Sequence, residues 1–249
     1  MNEGQPSRPA NVLNIVAINQ GKQPLSMRLP HVQPRQPEEV ARMIEQGVLI
    51  VDARSPAEFG SAHIPGAINI QLASPEFEQR VGWVLPEGRD FILVLADEHL
   101  ARRAVHNLAF IGLERRVAGF LDGCMEAWLD AGLPYRSVPQ ITVRQLYERL
   151  QHNNLKVLDV RERSEWEEGH IAGAQQMSYK QLRTGLESLD LSPQDQVAVI
   201  CAGGYRSSTA TGILLQHGFE NVLNVTGGMT AWRAAKLPML DGQGNVCAI

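Results

Sequence analysis

Apolar residues recur along this chain in two patterns, one typical of buried strands and one of amphipathic helices. Short apolar runs predict strands at Val48–Asp52, Phe91–Leu95, Lys156–Val160, Val197–Ile200 and Leu223–Val225. Helical spacing covers Pro37–Gln46, Ala101–Phe110, a segment that opens at Thr142, and Ser207–His217. Strands that alternate with helices at short spacing predict the α/β class, with a mostly parallel sheet flanked by helices on both faces.

The same motifs occur twice, about 105 residues apart, which is the size of a small domain. The repeated pairs are Val51–Arg54 with Leu158–Arg161, His63–Ala67 with His170–Ala174, and Gly123–Trp128 with Gly227–Trp232. The chain therefore contains two copies of one domain in tandem. We predict an N-terminal arm or linker over 1–33, a first domain over 34–137, a second over 140–240, and a flexible tail over 241–249.

Composition and charge exclude several classes of function. The 249 residues carry 23 Lys and Arg against 27 Asp and Glu, a net charge of −4, so a basic surface for nucleic acid or an anionic membrane is not expected. No apolar run is long enough for a membrane span, and the polar first residues do not resemble a secretory signal. Three cysteines and seven scattered histidines predict a cytoplasmic protein without a disulfide framework or a metal site.

The segment Ile200–Ser208 has the composition of a reactive loop. Cys201 follows a buried strand directly, and a helix begins a few residues later. Ligands of open α/β sheets bind at this position, beyond the carboxyl end of a strand. Gly203 and Gly204 can turn successive backbone N–H groups inward, while the helix dipole and Arg206 add positive charge. These features favour the thiolate of Cys201, which is the nucleophilic form.

The two Asp-x-Arg motifs, the two His-Ile-x-Gly-Ala motifs, the Cys-x-x-Gly-x-Arg-Ser loop and the closing Gly-Gly-Met-x-Ala-Trp together resemble the rhodanese homology domain. The resemblance spans roughly Pro34–Leu240 and implies two tandem rhodanese-like α/β domains. In that family the active cysteine takes a sulfane sulfur and holds it as a persulfide. The resemblance thus implies Cys201 as the catalytic sulfur carrier and Arg206 as a residue that helps to bind an anionic donor. The backbone of Ala202, Gly203, Gly204, Tyr205 and Ser207 would form the substrate-binding cradle, without a cofactor or metal.

The length of the loop favours sulfur transfer over phosphatase or arsenate reductase chemistry. Four residues separate Cys201 from Arg206, whereas cysteine-dependent phosphatases with a similar fold have one residue more. A tighter ring suits a single sulfur atom better than a tetrahedral phosphate.

The first copy departs from the pattern at the decisive position. Ala96 stands where the second copy has Cys201, and the loop glycines and arginine are missing. Asp97 and Glu98 would repel an anionic donor. We therefore predict that the first copy is inactive.

Other repeated residues have structural explanations. We expect Asp52 with Arg54, and Asp159 with Arg161, to form ion pairs at strand ends. His63 and His170 are expected to hold the framework through hydrogen bonds, and Trp128, Trp166 and Trp232 to pack. Cys124 is expected to be a packed thiol and not a second nucleophile. Cys247 is a weaker candidate for a residue that resolves a Cys201 persulfide.

A finer resemblance concerns the whole chain. The degenerate first copy with Gly82-Trp83 and Pro86, and the second with Cys-Ala-Gly-Gly-Tyr-Arg-Ser, are similar to the rhodanese half of metallo-β-lactamase–rhodanese fusion proteins. Asn14–Gly21 resembles the joint that follows the lactamase half. Those fusions act in persulfide dioxygenation, but the metal-binding histidine motif of their lactamase half is absent from this sequence. The resemblance therefore implies either a split or truncated relative or a protein that works beside a separate metallo-β-lactamase-fold dioxygenase.

Two hypotheses of function follow. The first is a sulfurtransferase that moves sulfane sulfur through Cys201, with thiosulfate, sulfite, glutathione persulfide and, in vitro, cyanide as donors and acceptors. The alternative is a non-catalytic persulfide-sensing or scaffold module that works with the dioxygenase. The sequence leaves the physiological donor, the acceptor and the direction of transfer open.

Overall fold

The computed structural model describes residues 15–17, 20–22, 29–152 and 155–247. Most of the predicted N-terminal arm, including Asn14, Ile18 and Asn19, lies outside this described part. No helix in the described residues is long and apolar enough to cross a membrane.

The first copy alternates strands and helices from Pro34 to Asp130. Its strands are β1 (Pro34–Arg35), β2 (Leu49–Asp52), β3 (Ile68–Asn69), β4 (Phe91–Val94) and β5 (Val117–Leu121). Its helices are α1 (Pro37–Glu45), α2 (Pro56–Ser61), α3 (Phe77–Val84), α4 (Glu98–Ala109) and α5 (Cys124–Asp130), with a 3-10 turn at Glu114–Arg116.

The second copy repeats this order from Gln140 to Ala234. Its strands are β6 (Gln140–Ile141), β7 (Lys156–Asp159), β8 (Gln175–Gln176), β9 (Gln196–Ile200) and β10 (Asn221–Val225). Its helices are α6 (Val143–His152), α7 (Arg163–Glu167), α8 (Leu182–Gly185), α9 (Tyr205–Gln216) and α10 (Gly228–Ala234), with a 3-10 turn at Leu186–Ser188.

Each copy forms one five-stranded parallel sheet with the same strand order. The orders are β1-β5-β4-β2-β3 and β6-β10-β9-β7-β8, so the fourth strand of each copy lies at the centre. In the second sheet Lys156 to Asp159 pair with Val197 to Ile200 in unbroken register. Within each sheet, a helix between consecutive strands carries the chain back to the edge where the next parallel strand begins. The predicted fold class, two tandem α/β domains, is confirmed.

The described residues group into two compact units. One contains residues up to Ser55 and His63–Tyr135, and the other contains Pro56–Ala62 together with the residues from Arg136 onward. Within the second unit the N–H of Val138 donates a 2.9 Å hydrogen bond to the carbonyl oxygen of Gly60. Helix α2 therefore groups with the second unit, although it precedes the domain boundary expected from the repeat.

The core of the second unit is apolar and closed by a tryptophan. Trp232 is 1% exposed and packs with residues such as Leu146, Ile200 and Val225. Its Nε1–H donates to the carbonyl oxygen of Pro238, and Trp128 donates in the same way to Pro134. The repeated Ala-Trp and Leu-Pro motifs are thus joined by a hydrogen bond in each copy. Both tryptophans are core residues, as predicted.

The helices differ from those predicted from the sequence mainly in the residue at which they begin. Helix α9 begins at Tyr205, two residues before the predicted Ser207, because Gly204 adopts a left-handed conformation (φ +101°) and acts as its N-cap. Helix α4 begins at Glu98 because the Asp97 carboxylate accepts the N–H of Leu100. At α6 the helix opens at Thr142 as predicted, with a capping box in which the Thr142 and Gln145 side chains each accept the other's backbone N–H.

The described part of the predicted flexible tail forms a hydrogen-bonded turn. The Asp241 carboxylate accepts the N–H groups of Gln243 and Asn245, and Cys247 N–H donates to Met239 O. Leu240 forms isolated bridges with His170 and Val246.

Candidate active site

Cys201 lies at the carboxyl end of the central strand of the second sheet. It follows Ile200, the last residue of β9, which is paired with β7 on one side and β10 on the other. Only 1% of the residue is exposed. The sulfur is therefore held at the position where parallel α/β sheets bind their ligands, largely shielded from water.

Two polar groups of the following loop face the sulfur of Cys201. The backbone N–H of Gly204 donates to Sγ at 3.1 Å, and the Oγ of buried Ser207 lies 3.5 Å from Sγ. The left-handed conformation of Gly204 turns its N–H inward and starts the twelve-residue helix α9. A negative charge on the sulfur would thus be stabilised by a backbone donor and by the positive end of a helix.

The predicted cradle residues are not equivalent in the structure. Gly204 and Ser207 are buried beside Cys201, whereas Ala202 is half-buried and Gly203 is exposed. Tyr205 lies in the first turn of α9 and is 48% exposed. Only Gly204 of the two loop glycines has a positive φ. The loop therefore turns its polar groups toward the sulfur at Gly204 and Ser207 and its aromatic ring toward solvent.

Arg206 is held by a carboxylate. Its Nη1 and Nη2 donate to the two oxygens of Glu165 at 2.6 and 2.7 Å. This hydrogen-bonded pair lowers the pKa of Glu165, and it is also the main cause of a raised pKa of Arg206. Charge on Cys201 contributes to the raised pKa of Arg206 as well.

Glu165 is itself positioned by the repeated Asp-x-Arg motif. Arg161 is 2% exposed and donates to both oxygens of Asp159, which confirms the predicted ion pair. The same guanidinium also donates to the carbonyl oxygens of Glu165 and Gly169 at 2.8 and 2.9 Å. The Asp-x-Arg motif therefore fixes the backbone of α7, and the Glu165 side chain on that helix in turn fixes the Arg206 guanidinium. In the first copy Asp52 and Arg54 form the corresponding pair, as predicted.

A second helix holds the loop through its carbonyl groups. The N–H of Met229 donates to Cys201 O at 2.8 Å, and the N–H of Thr230 donates to Ala202 O at 3.0 Å. These contacts require a close approach at Gly228, where a Cβ would lie 2.2 Å from Cys201 O. Gly228 also has a positive φ of +53°. The second glycine of the closing motif is thus a residue of the site.

Sequence reasoning missed Glu165, Gly228 and the support for Gly204 from Asn224. Asn224 is buried, and its Nδ2 donates to Gln140 Oε1 at 2.7 Å and lies 3.5 Å from Gly204 O. The signals were present: Glu162 and Glu165 have capping-box spacing, and a buried asparagine interrupts an apolar strand. Their partners, however, are distant in the sequence.

The remaining candidates lie around the framework of the site. The ring of His170 stacks on Trp166 with centroids 3.5 Å apart, and its Nδ1 lies 3.1 Å from Trp166 O, in line with a framework role. Cys247 packs against the core of the second unit. Cys124 is half-buried and adopts a positive φ of 55° at the position that Gly228 occupies in the second copy. All three cysteines are free thiols.

The equivalent loop of the first copy uses its helix N-terminus differently. Ala96 offers no nucleophile, and the Asp97 carboxylate accepts the N–H of Leu100 at 2.8 Å. A carboxylate thus already occupies the place where an anionic donor would be attracted.

The fold and both repeats match one family model, described as the rhodanese-like domain, over residues 36–131 and 142–235. These two stretches make up most of the chain. The protein belongs to the rhodanese-like domain family.

Individual relatives match one domain's length of this chain. The YrkF protein of Bacillus subtilis is 31% identical over 97 residues, which are 39% of this chain and 51% of YrkF. The thiosulfate sulfurtransferase GlpE of Pseudoalteromonas translucida is 28% identical over 95 residues, 38% of this chain and 89% of GlpE. A crystal structure of a rhodanese-related protein from Thermoplasma volcanium is 34% identical, covers 41% of this chain and 97% of that one, and has a TM-score of 0.38. The match thus spans about half the length of YrkF.

Proposed function

We propose that the protein is a sulfurtransferase that carries a sulfane sulfur as a persulfide on Cys201. The observation that carries this proposal is the hydrogen bond from Gly204 N–H to the buried Sγ of Cys201. A donor aimed at the sulfur, at the N-terminus of a helix, stabilises both a thiolate and a persulfide anion. Membership of the rhodanese-like family and similarity to a thiosulfate sulfurtransferase support the proposal.

The reaction consists of two displacements at sulfur. The Cys201 thiolate attacks the outer sulfur of thiosulfate, a new S–S bond forms, and sulfite leaves with the electron pair of the bond that breaks. A thiolate such as glutathione then attacks the outer sulfur of the Cys201 persulfide, and Cys201 leaves as thiolate. Cyanide can take the sulfur in the same way and become thiocyanate. In the reverse direction glutathione persulfide is the donor and sulfite the acceptor.

Each residue of the loop has a distinct part in this proposal. Cys201 is the nucleophile and carrier. Gly204 N–H donates to its sulfur, and the Ser207 hydroxyl, which accepts from the thiol, would in turn donate to the thiolate. In the persulfide form the other backbone N–H groups from Ala202 to Ser207 would be available to the transferred sulfur. Arg206 contributes positive charge beside the sulfur and to the anionic donor, and Tyr205 lies exposed at the mouth of the loop. The sulfur is carried by the cysteine itself, so the proposal requires no cofactor or metal.

In this proposal the first copy is an inactive companion domain. Ala96 and the capped helix N-terminus at Asp97 support that assignment. The resemblance of the tandem arrangement to metallo-β-lactamase–rhodanese fusions leads us to propose a cytoplasmic protein that works beside a separate persulfide dioxygenase.

The test is the mass of the intact protein after incubation with thiosulfate and, separately, with glutathione persulfide. We expect a gain of one sulfur atom, lost on addition of cyanide or sulfite. The Cys201→Ser variant should gain none, whereas Cys124→Ser and Cys247→Ser should load as the wild type does. Sulfur gain without turnover to any small-molecule acceptor would favour the persulfide-sensing alternative. Full loading of Cys201→Ser would overturn the proposal.

A further inference from the structure

Several basic side chains of the second unit are paired with carboxylates. Among the described residues, four close ion pairs lie on or beside α7 and α9, with N–O distances from 2.6 to 2.9 Å. They are Arg161 with Asp159, Arg163 with Glu167, Lys180 with Glu162, and Arg206 with Glu165. The positive charge of these four side chains is thus largely compensated.

The pair that matters for the sulfur is Arg206 with Glu165. Its two parallel hydrogen bonds match a guanidinium with a carboxylate, and the Arg206 side chain is only 16% exposed. Of the four cations, Arg206 lies in the first turn of α9, five positions after Cys201, and charge on Cys201 contributes to its raised pKa. The net charge of this pair therefore bears on how strongly the loop attracts an anion.

Glu165 is fixed in place by its own element. Its Oε2 accepts the N–H of Glu162 at 3.1 Å, which closes a capping box, and its carbonyl oxygen accepts Nη1 of Arg161 at 2.8 Å. The carboxylate is therefore held at Arg206 by contacts that do not involve the loop. A donor anion would have to compete for Arg206 with the Glu165 carboxylate, which is already hydrogen-bonded to it.

We propose that Glu165 determines the charge of the sulfur donor: by compensating Arg206, it makes the loop favour donors with one negative charge over dianionic donors. The inference rests on the proposed sulfurtransferase function and goes beyond it by naming a class of substrate. Organic persulfides and thiosulfonates present one charge at the reacting end. Thiosulfate carries two negative charges within a few ångströms of each other.

A comparison of two sulfur donors separates the effect of the donor's charge from the other features of the reaction. Thiosulfate and methanethiosulfonate both offer an outer sulfur bonded to a sulfonyl sulfur, and a methyl group in the second replaces one charged oxygen of the first. In each case the Cys201 thiolate takes the outer sulfur and becomes a persulfide. Sulfite leaves in one reaction and methanesulfinate in the other, each with the electron pair of the broken S–S bond.

The experiment measures kcat/KM for both donors in a charge series of full-length variants, with cyanide as acceptor. Glu165→Gln leaves Arg206 uncompensated, Arg206→Gln leaves Glu165 uncompensated, and the double variant removes both charges. We expect the ratio of thiosulfate to methanethiosulfonate to rise roughly fivefold in Glu165→Gln and to fall by a similar factor in Arg206→Gln. The double variant should return to within about twofold of the wild-type ratio.

The matched control is Glu167→Gln, the same substitution two positions after Glu165 at the end of α7, which breaks the exposed pair with Arg163. Its donor ratio should equal that of the wild type. Equal losses toward both donors in all three charge-series variants would show a merely structural pair and would overturn the proposal. Failure of the wild type to load sulfur from either donor would instead overturn the proposed function itself.

Salt dependence gives a second readout that needs no altered residue. In the wild type, kcat/KM for the two donors should fall with similar slopes between about 20 and 200 mM salt. In Glu165→Gln the slope for thiosulfate should become the steeper one. A steep dependence confined to thiosulfate in the wild type would contradict a compensated Arg206.

Discussion

The backbone N–H of Met229 donates a 2.8 Å hydrogen bond to the carbonyl oxygen of Cys201. The reactive loop is thus held from two sides, by α9 at the sulfur and by α10 at the carbonyl groups. Gly228 makes this approach possible, since a Cβ at that position would overlap both Cys201 O and Ala202 O. The closing Gly-Gly-Met motif therefore positions the backbone of a cysteine that precedes it by more than twenty residues.

Replacing Gly228 with alanine should disable the site. The Cβ would stand 2.2 Å from Cys201 O, and the positive φ adds backbone strain of about 1–3 kcal/mol. We expect sulfur loading to fall at least tenfold, measured by intact mass, with a lower free energy of unfolding. Gly218→Ala is the matched control, because Gly218 also has a positive φ but has no atom within 4 Å of its Cβ position. It should lose about 1 kcal/mol of stability and load normally.

The two glycines of the reactive loop should differ sharply in their tolerance of alanine. Gly204 has a φ of +101°, and its N–H reaches Cys201 Sγ only in that conformation. Gly204→Ala should therefore slow persulfide formation by about tenfold or more, a loss in the range of 1–2 kcal/mol. Gly203→Ala should load like the wild type, because its Cβ would meet nothing closer than 4.0 Å. Equal rates for the two variants would contradict the part assigned to the Gly204 N–H.

A cysteine placed in the first copy should remain inert. In Ala96→Cys the new thiol would face a helix whose N-terminus is already capped by Asp97. We expect one sulfur per chain after incubation with thiosulfate, as in the wild type, and none in the double variant Ala96→Cys, Cys201→Ser. Loading of that double variant at the wild-type rate would show that the missing cysteine alone inactivates the first copy.

Acidification should weaken the protein partly through Glu165. The pKa of Glu165 is lowered in the folded state, chiefly by the hydrogen bonds from Arg206. A carboxyl group with a lowered pKa stabilises the fold above its unfolded value of about 4.3, and this contribution is lost as the pH falls through the folded value. The unfolding temperature of the wild type should therefore drop more steeply below about pH 5 than that of Glu165→Gln.

Glu98, Asp195 and Asp241 also have lowered pKa values, so both proteins should lose stability in acid. The difference between the two curves isolates Glu165. Parallel curves over the whole acidic range would contradict its ion pair with Arg206.

Much of the fold followed from local patterns. The buried strands were predictable because their apolar residues are contiguous, and the Asp159–Arg161 pair because its partners are two positions apart. Cys201 stood out because it follows such a strand and precedes glycines and a helix. The repeat predicted that both copies would have the same topology, and the strand orders agree.

The sequence by itself thus determined the two α/β domains, the position of the candidate nucleophile and the loss of that nucleophile in the first copy. Only the tertiary structure decided that Arg206 meets Glu165, which lies 41 positions away, and that Gly228 must lack a side chain. Local patterns report interactions within a turn or a strand. A two-point ion pair or a 2.8 Å contact between separate elements depends on the distance and angle at which those elements pack.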